Sequence, residues 1–309
     1  MDLSGAVKIF IGENSGFCFG VKRAVDKALE LAQSGKVYSL GYIIHNEQAV
    51  RKLNEAGVET KEPEDISSLD GAKVIIRTHG VKKQIVEELK KRKIEFFDAT
   101  CPFVIRSQRI VEKLSDQGYG IIIFGNPDHP EVIGVVSYVK TKNFFIVQKP
   151  EDVDSIPYMK KVAVISQTTQ RLDDFIEVVK RVIERGFEIR VFNTVCEVTV
   201  DAQKEAREIA ELSDVVIVIG GKMSSNTEKL YKVCKDLVEA HKIETADELK
   251  ENWILAKEKI GIVAGTSTPD WVVLDVIKKI KDLLGNEKIE IVRVGKKNKF
   301  SADVALWEV

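Results

Sequence analysis

The chain has 309 residues, of which 44% are hydrophobic and 31% are charged, so it is long enough for two or three units with cores of their own. Its 47 basic and 48 acidic residues give a net charge of -1, which argues against general nucleic-acid binding by the core of the protein. The sequence has no apolar run of 18 residues and no signal-peptide pattern. We therefore predict a cytoplasmic protein that does not enter a membrane.

Short β-rich runs alternate with amphipathic stretches along the chain. The runs carry nearly continuous Val, Ile and Phe, as strands buried on both faces do, and the stretches between them have apolar residues at i, i+3, i+4 and i+7. This alternation predicts an α/β fold with mostly parallel sheets. The predicted strands are 7–11, 37–40, 74–77, 94–97, 121–124, 144–147, 162–165, 189–192, 215–219 and 260–263, and the predicted helices are 22–33, 82–91, 103–117, 173–185, 203–212 and 227–240.

The polar sequences at the strand ends repeat, which indicates three similar α/β units. VIIRTHG, VAVISQTT and IGIVAGTSTPD form one matched set, and IIIFGNPDHPE and VVIVIGGKMSSN form another. We predict unit 1 at residues 1–101, unit 2 at 102–196 and unit 3 at 197–284, followed by a tail at 285–309 that is a terminal strand or a linker. Because ligands bind at the carboxyl ends of strands in such sheets, three inward-facing units would surround one central cavity. Three independent domains with ordinary loops are the alternative.

Three of the four cysteines, Cys18, Cys101 and Cys196, follow predicted strands in loops of small residues. FFDATC and VFNTVC share a frame of two apolar residues, then Asp or Asn, then Thr shortly before Cys. Three thiolates from similar units suit an iron–sulfur cluster with one iron unprotected, although zinc with a fourth ligand stays open. Cys234 lies on the apolar face of a predicted helix and is expected to be a core thiol.

Three of the four histidines, His45, His79 and His129, also end strand-like runs. Their matched positions favour a functional role, because histidine can donate to phosphate oxygens and is charged below neutral pH. Glu131, in HPEVIG, is a candidate proton donor if burial raises its pKa. A surface loop acid fits the sequence equally well. His241, at the end of a predicted amphipathic helix, is interpreted as structural.

Hydroxyl and amide residues close three further strands, at 167–169, 224–226 and 266–268. Such residues cap helices and make turns, and a helix N-terminus with exposed N–H groups is also an anion site. Neither a Walker A pattern nor GxGxxG occurs, so nucleotide binding has little support. A phosphate site here would use hydroxyls, amides and imidazoles, with Lys222 as a further candidate.

Nine motifs in order resemble the LytB/IspH family of 4-hydroxy-3-methylbut-2-enyl diphosphate reductases: GFCFGVKRAV, IIHN, IIRTHG, DATCP, HPEVIG, SQTT, NT-x-C, GGK-x-SSNT and STPDW. The resemblance covers residues 8–284. It implies three α/β units in pseudo-threefold arrangement around an iron–sulfur cluster. It also implies reductive removal of an allylic hydroxyl, giving isopentenyl and dimethylallyl diphosphates in the last step of the methylerythritol phosphate route to isoprenoids. Met223 departs from the family pattern, where a more polar residue is expected.

The resemblance also implies roles for individual residues. Cys18, Cys101 and Cys196 are expected to hold a [4Fe–4S] cluster, which oxidation converts to [3Fe–4S] because the fourth iron has no protein thiolate. Glu131 is expected to relay protons with the help of Thr168 and of His129, both near the substrate. Further substrate contacts are expected from His45, His79, Ser224, Ser225, Asn226 and Ser267. Since no flavin or nicotinamide motif appears, the electrons should come from an external ferredoxin or flavodoxin.

Two other classes of function stay open from the sequence. A quinolinate-synthase-like enzyme also has three α/β units and three cysteines around a cluster. Its carboxylate substrates would call for arginine-rich strand ends, whereas the strand ends here carry His, Ser and Asn. A non-enzymatic iron–sulfur sensor, with RNA bound through the basic tail, predicts no turnover with reduced ferredoxin and does not need Glu131.

Overall fold

The computed structural model describes residues 6–69, 71–285, 288–296 and 298. Within them lie three sheets flanked by helices, and all the strand pairs are parallel, which confirms the predicted α/β fold of three similar units. The strands are β1 Val7–Gly12, β2 Val37–Leu40, β3 Val58–Lys61, β4 Lys73–Ile76, β5 Phe96–Asp98, β6 Gly120–Phe124, β7 Phe144–Val147, β8 Met159–Ser166, β9 Gly186–Val191, β10 Val215–Ile219, β11 Glu239–Ile243, β12 Lys259–Ala264 and β13 Ile289–Val294. The helices are α1 Phe19–Ala32, α2 Glu47–Glu55, α3 Lys83–Lys91, α4 Pro102–Asp116, α5 Pro130–Val136, α6 Leu172–Val182, α7 Glu197–Leu212, α8 Ser225–Lys235, α9 Glu251–Ile254 and α10 Asp270–Leu284.

The three sheets share one strand order. Two sheets have four strands, in the orders β3-β2-β4-β5 and β7-β6-β8-β9, and the third has the order β11-β10-β12-β1-β13. In each, the strand that leads to a cysteine (β5, β9 or β1) lies beside a central strand that ends in a threonine-containing loop. We call β1, β5 and β9 the cysteine strands. The repeat seen in the sequence is therefore a repeat of sheet topology.

The chain forms two compact units. The first, which we call the five-stranded unit, comprises the described residues up to Lys22, Ile44–Lys52 and the described residues from Glu197 onward. The second, the two-sheet unit, comprises Arg23–Ile43 and Leu53–Cys196 and contains both four-stranded sheets.

The N-terminal strand completes the sheet built from the C-terminal third of the chain. From the sequence, this strand is predicted to belong to unit 1, at 1–101. It instead pairs with β12 through Ile9↔Ile260 and with β13 through Ile9↔Ile291. Ile9 is fully buried. A strand in the interior of a sheet needs a hydrogen-bonded neighbour along each of its two edges. No local pattern reveals a partner about 250 residues away. The predicted tail thus contains a strand, β13, which borders β1.

The central strands carry the cores. All five residues of β6 and all five of β10 are buried, as their continuous Ile and Val runs predict. In the five-stranded unit, one core cluster joins β10 and β12 to α10, and a second joins the other face of the sheet to α7 and α8. No helix among the described residues has the length and apolar character needed to cross a bilayer. The cytoplasmic location stays a prediction.

His241 lies in an edge strand and not at a helix end. α8 ends at Lys235, five residues before the predicted end, and His241 belongs to β11. Its ring stacks on Trp253 with 3.9 Å between centroids, and Nε2 is 2.8 Å from Oε1 of Glu239. The predicted helical position was wrong because pairing with β10 determines this segment, and that pairing is not local.

Candidate functional site

Each of the three strand-end cysteines makes the same backbone hydrogen bond. Its N–H donates to the carbonyl of a threonine that follows the neighbouring central strand, which is β12, β4 or β8. The pairs are Cys18–Thr266 at 3.0 Å, Cys101–Thr78 at 2.9 Å and Cys196–Thr168 at 2.8 Å. The three thiols therefore occupy equivalent places in the three sheets.

A helix begins immediately after each of these cysteines. α1 begins at Phe19, α4 at Pro102 and α7 at Glu197, and the three thiol-bearing residues are half-buried. The partial positive charge at a helix N-terminus stabilises a thiolate. By contrast, Cys234 is fully buried in α8, and burial raises the pKa of its thiol to about 12. The prediction that Cys234 is a core thiol is confirmed.

The shared Asp or Asn before two of the cysteines shapes the loops. Oδ1 of Asp98 accepts hydrogen bonds from the N–H of Thr100 at 2.9 Å and from its hydroxyl. Oδ1 of Asn193 accepts from the N–H of Val195 at 3.2 Å. These side chains form Asx turns, which explains the repeated frame without any ligand role for them. In addition, Arg23 donates to the Thr100 carbonyl at 3.0 Å and fixes that loop from α1.

Glu131 is a buried acid in contact with Thr168. Only 2% of Glu131 is exposed. Oε1 accepts from the Thr168 N–H at 2.7 Å, and Oε2 accepts from the Thr168 hydroxyl at 2.6 Å. Burial raises the pKa of Glu131 to about 7, against the two hydrogen bonds, which act to lower it. The reading of Glu131 as a surface loop acid is therefore wrong, because the carboxyl is enclosed.

His129 and His79 lie next to this acid in the two-sheet unit. Nδ1 of His129 accepts from the Glu131 N–H at 3.2 Å and caps α5. Neutral His129 therefore carries its proton on Nε2. The rings of His79 and His129 meet edge to face, with centroids 5.2 Å apart. Contacts within the two-sheet unit thus link His79, His129, Glu131 and Thr168, all of which are candidate site residues from the sequence.

Hydroxyl and amide groups cluster at the N-terminus of α8 in the five-stranded unit. Ser224 caps α8, because its Oγ accepts from the Thr227 N–H at 3.3 Å, and it lies 3.4 Å from Oγ of Ser267. Nδ2 of Asn226 donates to Oγ1 of Thr266 at 3.3 Å. Among the described residues, Oδ1 of buried Asn226 has no hydrogen-bond partner. A buried acceptor without a partner beside a helix N-terminus indicates a ligand site.

His45 belongs to the same unit and approaches the loop that follows β10. A Cβ atom on Gly221 would lie only 2.1 Å from the His45 carbonyl oxygen, so glycine alone permits this contact. Lys222, considered above for phosphate, is exposed and pairs with Glu248 at 2.8 Å. Met223 is 73% exposed, so its departure from the family pattern does not affect the packing. Sequence reasoning missed Gly221, although the GG pair marks a close approach.

The fold and these sites define an α/β protein built from three similar parallel sheets. In each sheet, one strand leads to a cysteine and the central strands lead to polar loops. The family model described as LytB protein matches residues 9–281. The chain belongs to the LytB family, as its motifs predict.

Named relatives and solved structures agree with this assignment. The 4-hydroxy-3-methylbut-2-enyl diphosphate reductase of Campylobacter jejuni is 45% identical over 276 residues, which are 89% of this chain and 98% of that protein. The enzyme of the same name from Pelobacter propionicus is 43% identical over 279 residues, covering 90% and 99%. A structure of (E)-4-hydroxy-3-methyl-but-2-enyl diphosphate reductase, the terminal enzyme of the non-mevalonate pathway, is 40% identical, covers 89% of this chain and 99% of its own, and has a TM-score of 0.67. A structure of the E-1-hydroxy-2-methyl-but-2-enyl-4-diphosphate reductase from Plasmodium falciparum is 27% identical, covers 97% of this chain and 96% of its own, and has a TM-score of 0.88.

Proposed function

We propose that this protein is a 4-hydroxy-3-methylbut-2-enyl diphosphate reductase of the methylerythritol phosphate pathway. The substrate accepts two electrons and two protons, its allylic C–O bond breaks, and water leaves with isopentenyl or dimethylallyl diphosphate as the product. Membership of the LytB family, and relatives at 43–45% identity that are named as this reductase, support the reaction. Within the structure, the observation that carries the proposal is the contact between buried Glu131 and Thr168. Thr168 binds this titrating carboxyl and also accepts a hydrogen bond from the N–H of Cys196.

Cys18, Cys101 and Cys196 are proposed to hold a [4Fe–4S] cluster. Their donor set fits, because three half-buried thiols in equivalent positions at helix N-termini favour the thiolate form. A cluster held by three thiolates supplies an iron without a protein ligand, which can act as a Lewis acid toward the hydroxyl and pass electrons to the substrate. Without that iron, the same three thiolates would hold a [3Fe–4S] cluster.

The diphosphate is proposed to bind at the N-terminus of α8. Helix N–H groups and the positive end of the helix dipole favour an anion there. The half-buried Ser225 begins α8, and Asn226 offers an amide whose oxygen has no partner among the described residues. The amide can turn its NH₂ group toward phosphate, because the two orientations differ only in hydrogen bonding. The proposed diphosphate contacts are His45, His79, Ser224, Ser225, Asn226 and Ser267.

Glu131 and Thr168 are proposed to deliver protons. With a pKa of about 7, Glu131 is protonated in a large fraction of molecules at neutral pH. A protonated carboxyl can donate to the Thr168 oxygen, and the hydroxyl can then donate its own hydrogen onward. His129 fixes the start of α5 through its contact with the Glu131 N–H, and it is proposed to lie near the substrate.

The experiment is anaerobic turnover of the reconstituted protein with reduced methyl viologen and the allylic diphosphate. We expect the two diphosphate products, and iron and sulfide contents that match one cluster per chain. Dicarboxylates in place of the substrate should not bind. Binding of dicarboxylates without turnover of the diphosphate would favour a quinolinate-synthase-like enzyme, and a complete cluster without any turnover would favour a sensor.

A further inference from the structure

A groove in the two-sheet unit is lined with cations. It has a volume of about 640 Å³ and lies between α4 and the end of β9. Arg106, Arg109 and Lys113 of α4 contribute three positive charges, and Arg190 of β9 contributes a fourth. No carboxylate of a described residue lines the groove. The whole chain has a net charge of -1, so this is a local concentration of positive charge.

Three of these cations lack an acidic partner among the described residues. Among the described residues, Arg106, Arg109 and Lys113 form no ion pair, whereas many other cations of this unit do. All three are exposed and lie on one side of α4, at positions i, i+3 and i+7. Arg190 differs, because it pairs with Glu188 and lies over the ring of Tyr119. The unpaired charges give the groove a positive field that attracts acidic partners.

The floor of the groove is apolar. Ile105, Ile110 and Phe192 line it between the cations, and each is half-buried. Apolar centres with a charged rim are typical of protein-docking surfaces. An RNA chain is a poorer fit, because single-stranded nucleic acid binds through exposed aromatic platforms, and Phe192 is the only aromatic residue that lines the groove in the part of the chain that the structure describes.

The groove also runs along the segments that carry two of the three proposed cluster ligands. Pro102 lies in its lining and directly follows Cys101, and Phe192 precedes Cys196 by four residues. At a rise of 1.5 Å per residue, Arg106 and Lys113 lie roughly 8 Å and 18 Å from Cys101 along the axis of α4. A protein held by these cations would therefore be close to Cys101.

We propose that this groove is the docking surface for a small acidic electron-carrier protein. The inference rests on the proposed function. Each docked carrier gives up one electron and leaves oxidised, so two encounters supply the two electrons that break one allylic C–O bond. The positive rim steers the acidic carrier and sets its orientation, and the apolar floor contacts its surface. Ferredoxins and flavodoxins belong to this class of carrier.

The test compares two charge-reversed variants of the reconstituted protein with two electron sources. The variant R106E/R109E reverses the groove, and K142E/K160E changes the net charge equally at exposed lysines outside it. A reduced acidic ferredoxin is one electron source, and reduced methyl viologen, a small cation, is the other. We expect R106E/R109E to lose at least about tenfold in kcat/KM for ferredoxin and to keep its viologen-driven rate. K142E/K160E should keep both rates, and salt should slow only the ferredoxin reaction.

Each other outcome has a distinct meaning. If R106E/R109E and K142E/K160E give equal ferredoxin-driven rates, the docking proposal is overturned. If R106E/R109E also loses its viologen-driven rate, the milder R106Q/R109Q decides, and a normal ferredoxin-driven rate in that variant overturns the proposal. Loss of binding to a 20-nucleotide RNA with unchanged ferredoxin-driven turnover would identify a nucleic-acid surface instead. Absence of viologen-driven turnover in the parent protein contradicts the proposed function itself.

Discussion

Glu131 and Thr168 are joined by two hydrogen bonds, one to each carboxylate oxygen, at 2.7 Å and 2.6 Å. The carbonyl of the same threonine accepts the N–H of Cys196 at 2.8 Å. One residue thus connects a buried acid to a cysteine loop. The proposed proton source and the proposed cluster ligand therefore keep a fixed relationship within the two-sheet unit.

We expect Glu131→Gln to slow turnover by about 10²- to 10⁴-fold, the usual range for loss of a general acid. Gln keeps the size of the side chain and can still accept from the Thr168 N–H, but it cannot supply an acidic proton. Viologen-driven turnover measures the effect, while iron content and substrate titration should stay unchanged. Glu197→Gln, beside Cys196 on the surface, is the matched control. Turnover of Glu131→Gln within a few-fold of the parent would mean that the proton takes another path.

The pH dependence of stability should change in the same variant. Burial raises the pKa of Glu131 from 4.5 to about 7 in the folded protein, so its contribution favours folding below about pH 4.5 and is lost as the pH rises toward 7. Gln cannot ionise. Relative to the parent, Glu131→Gln should therefore gain about 3 kcal/mol between about pH 5 and pH 8, measured by anaerobic chemical unfolding.

Glu112→Gln provides a control of opposite sign for this measurement. A hydrogen bond from Lys83 lowers the pKa of Glu112, so that carboxylate stabilises the fold above about pH 4.5 and loses this effect as the pH falls. The Gln variant should lose only a little stability relative to the parent as the pH rises, because the Glu112 side chain is still 30% exposed and water screens its interaction with Lys83. Parallel pH curves for the parent and Glu131→Gln would contradict the raised pKa.

The sequence predicts the central strands better than the edges. β6, β10 and, from Ile260 onward, β12 are continuous apolar runs, and the burial of these runs follows from that composition. β3 and β11 were missed, because an edge strand with sequence VETK or EAHKI has too few apolar residues to stand out. Their pairing with β2 and β10 is what makes them strands.

Within the candidate site, too, the features set by local sequence can be predicted, and those set by contacts with distant residues cannot. The cysteines and histidines follow strand ends, and strand ends can be located from local sequence. The burial of Glu131 cannot, because it depends on Thr168, 37 residues away. Likewise, no local pattern indicates that Cys18 is held by Thr266, from the opposite end of the chain.

Replacing any one of Cys18, Cys101 and Cys196 with Ser should abolish assembly of a complete cluster, because each sits in the same type of loop with the same backbone contact. Cys234→Ser should bind iron normally, since this thiol is buried in a core and its pKa is about 12. Iron and sulfide analysis after anaerobic reconstitution measures the difference. Full iron content in one of the first three variants would remove that residue from the ligand set.

His45→Ala and His79→Ala should weaken substrate binding more than they affect the cluster. Loss of a charge-assisted contact to the diphosphate costs about 1.5–3 kcal/mol, which is roughly a tenfold loss of affinity or more. Spectral titration with substrate measures the affinity, and His241→Ala, in edge strand β11, is the control. If both variants titrate like the parent, neither imidazole contacts the diphosphate.

Gly221→Ala tests the placement of His45 without changing any group proposed to touch the substrate. The added Cβ would lie 2.1 Å from the His45 carbonyl oxygen, and a backbone atom cannot move aside as a flexible side chain can. The His45 segment or the loop after β10 must therefore shift, which should lower substrate affinity at least several-fold while the iron content stays normal. Gly134→Ala is the control, because its Cβ would meet only ordinary contacts, 3.5 Å from the nearest atom. Should Gly221→Ala bind substrate as tightly as Gly134→Ala, the position of His45 would not matter for the diphosphate, and the other proposed contacts would have to hold it.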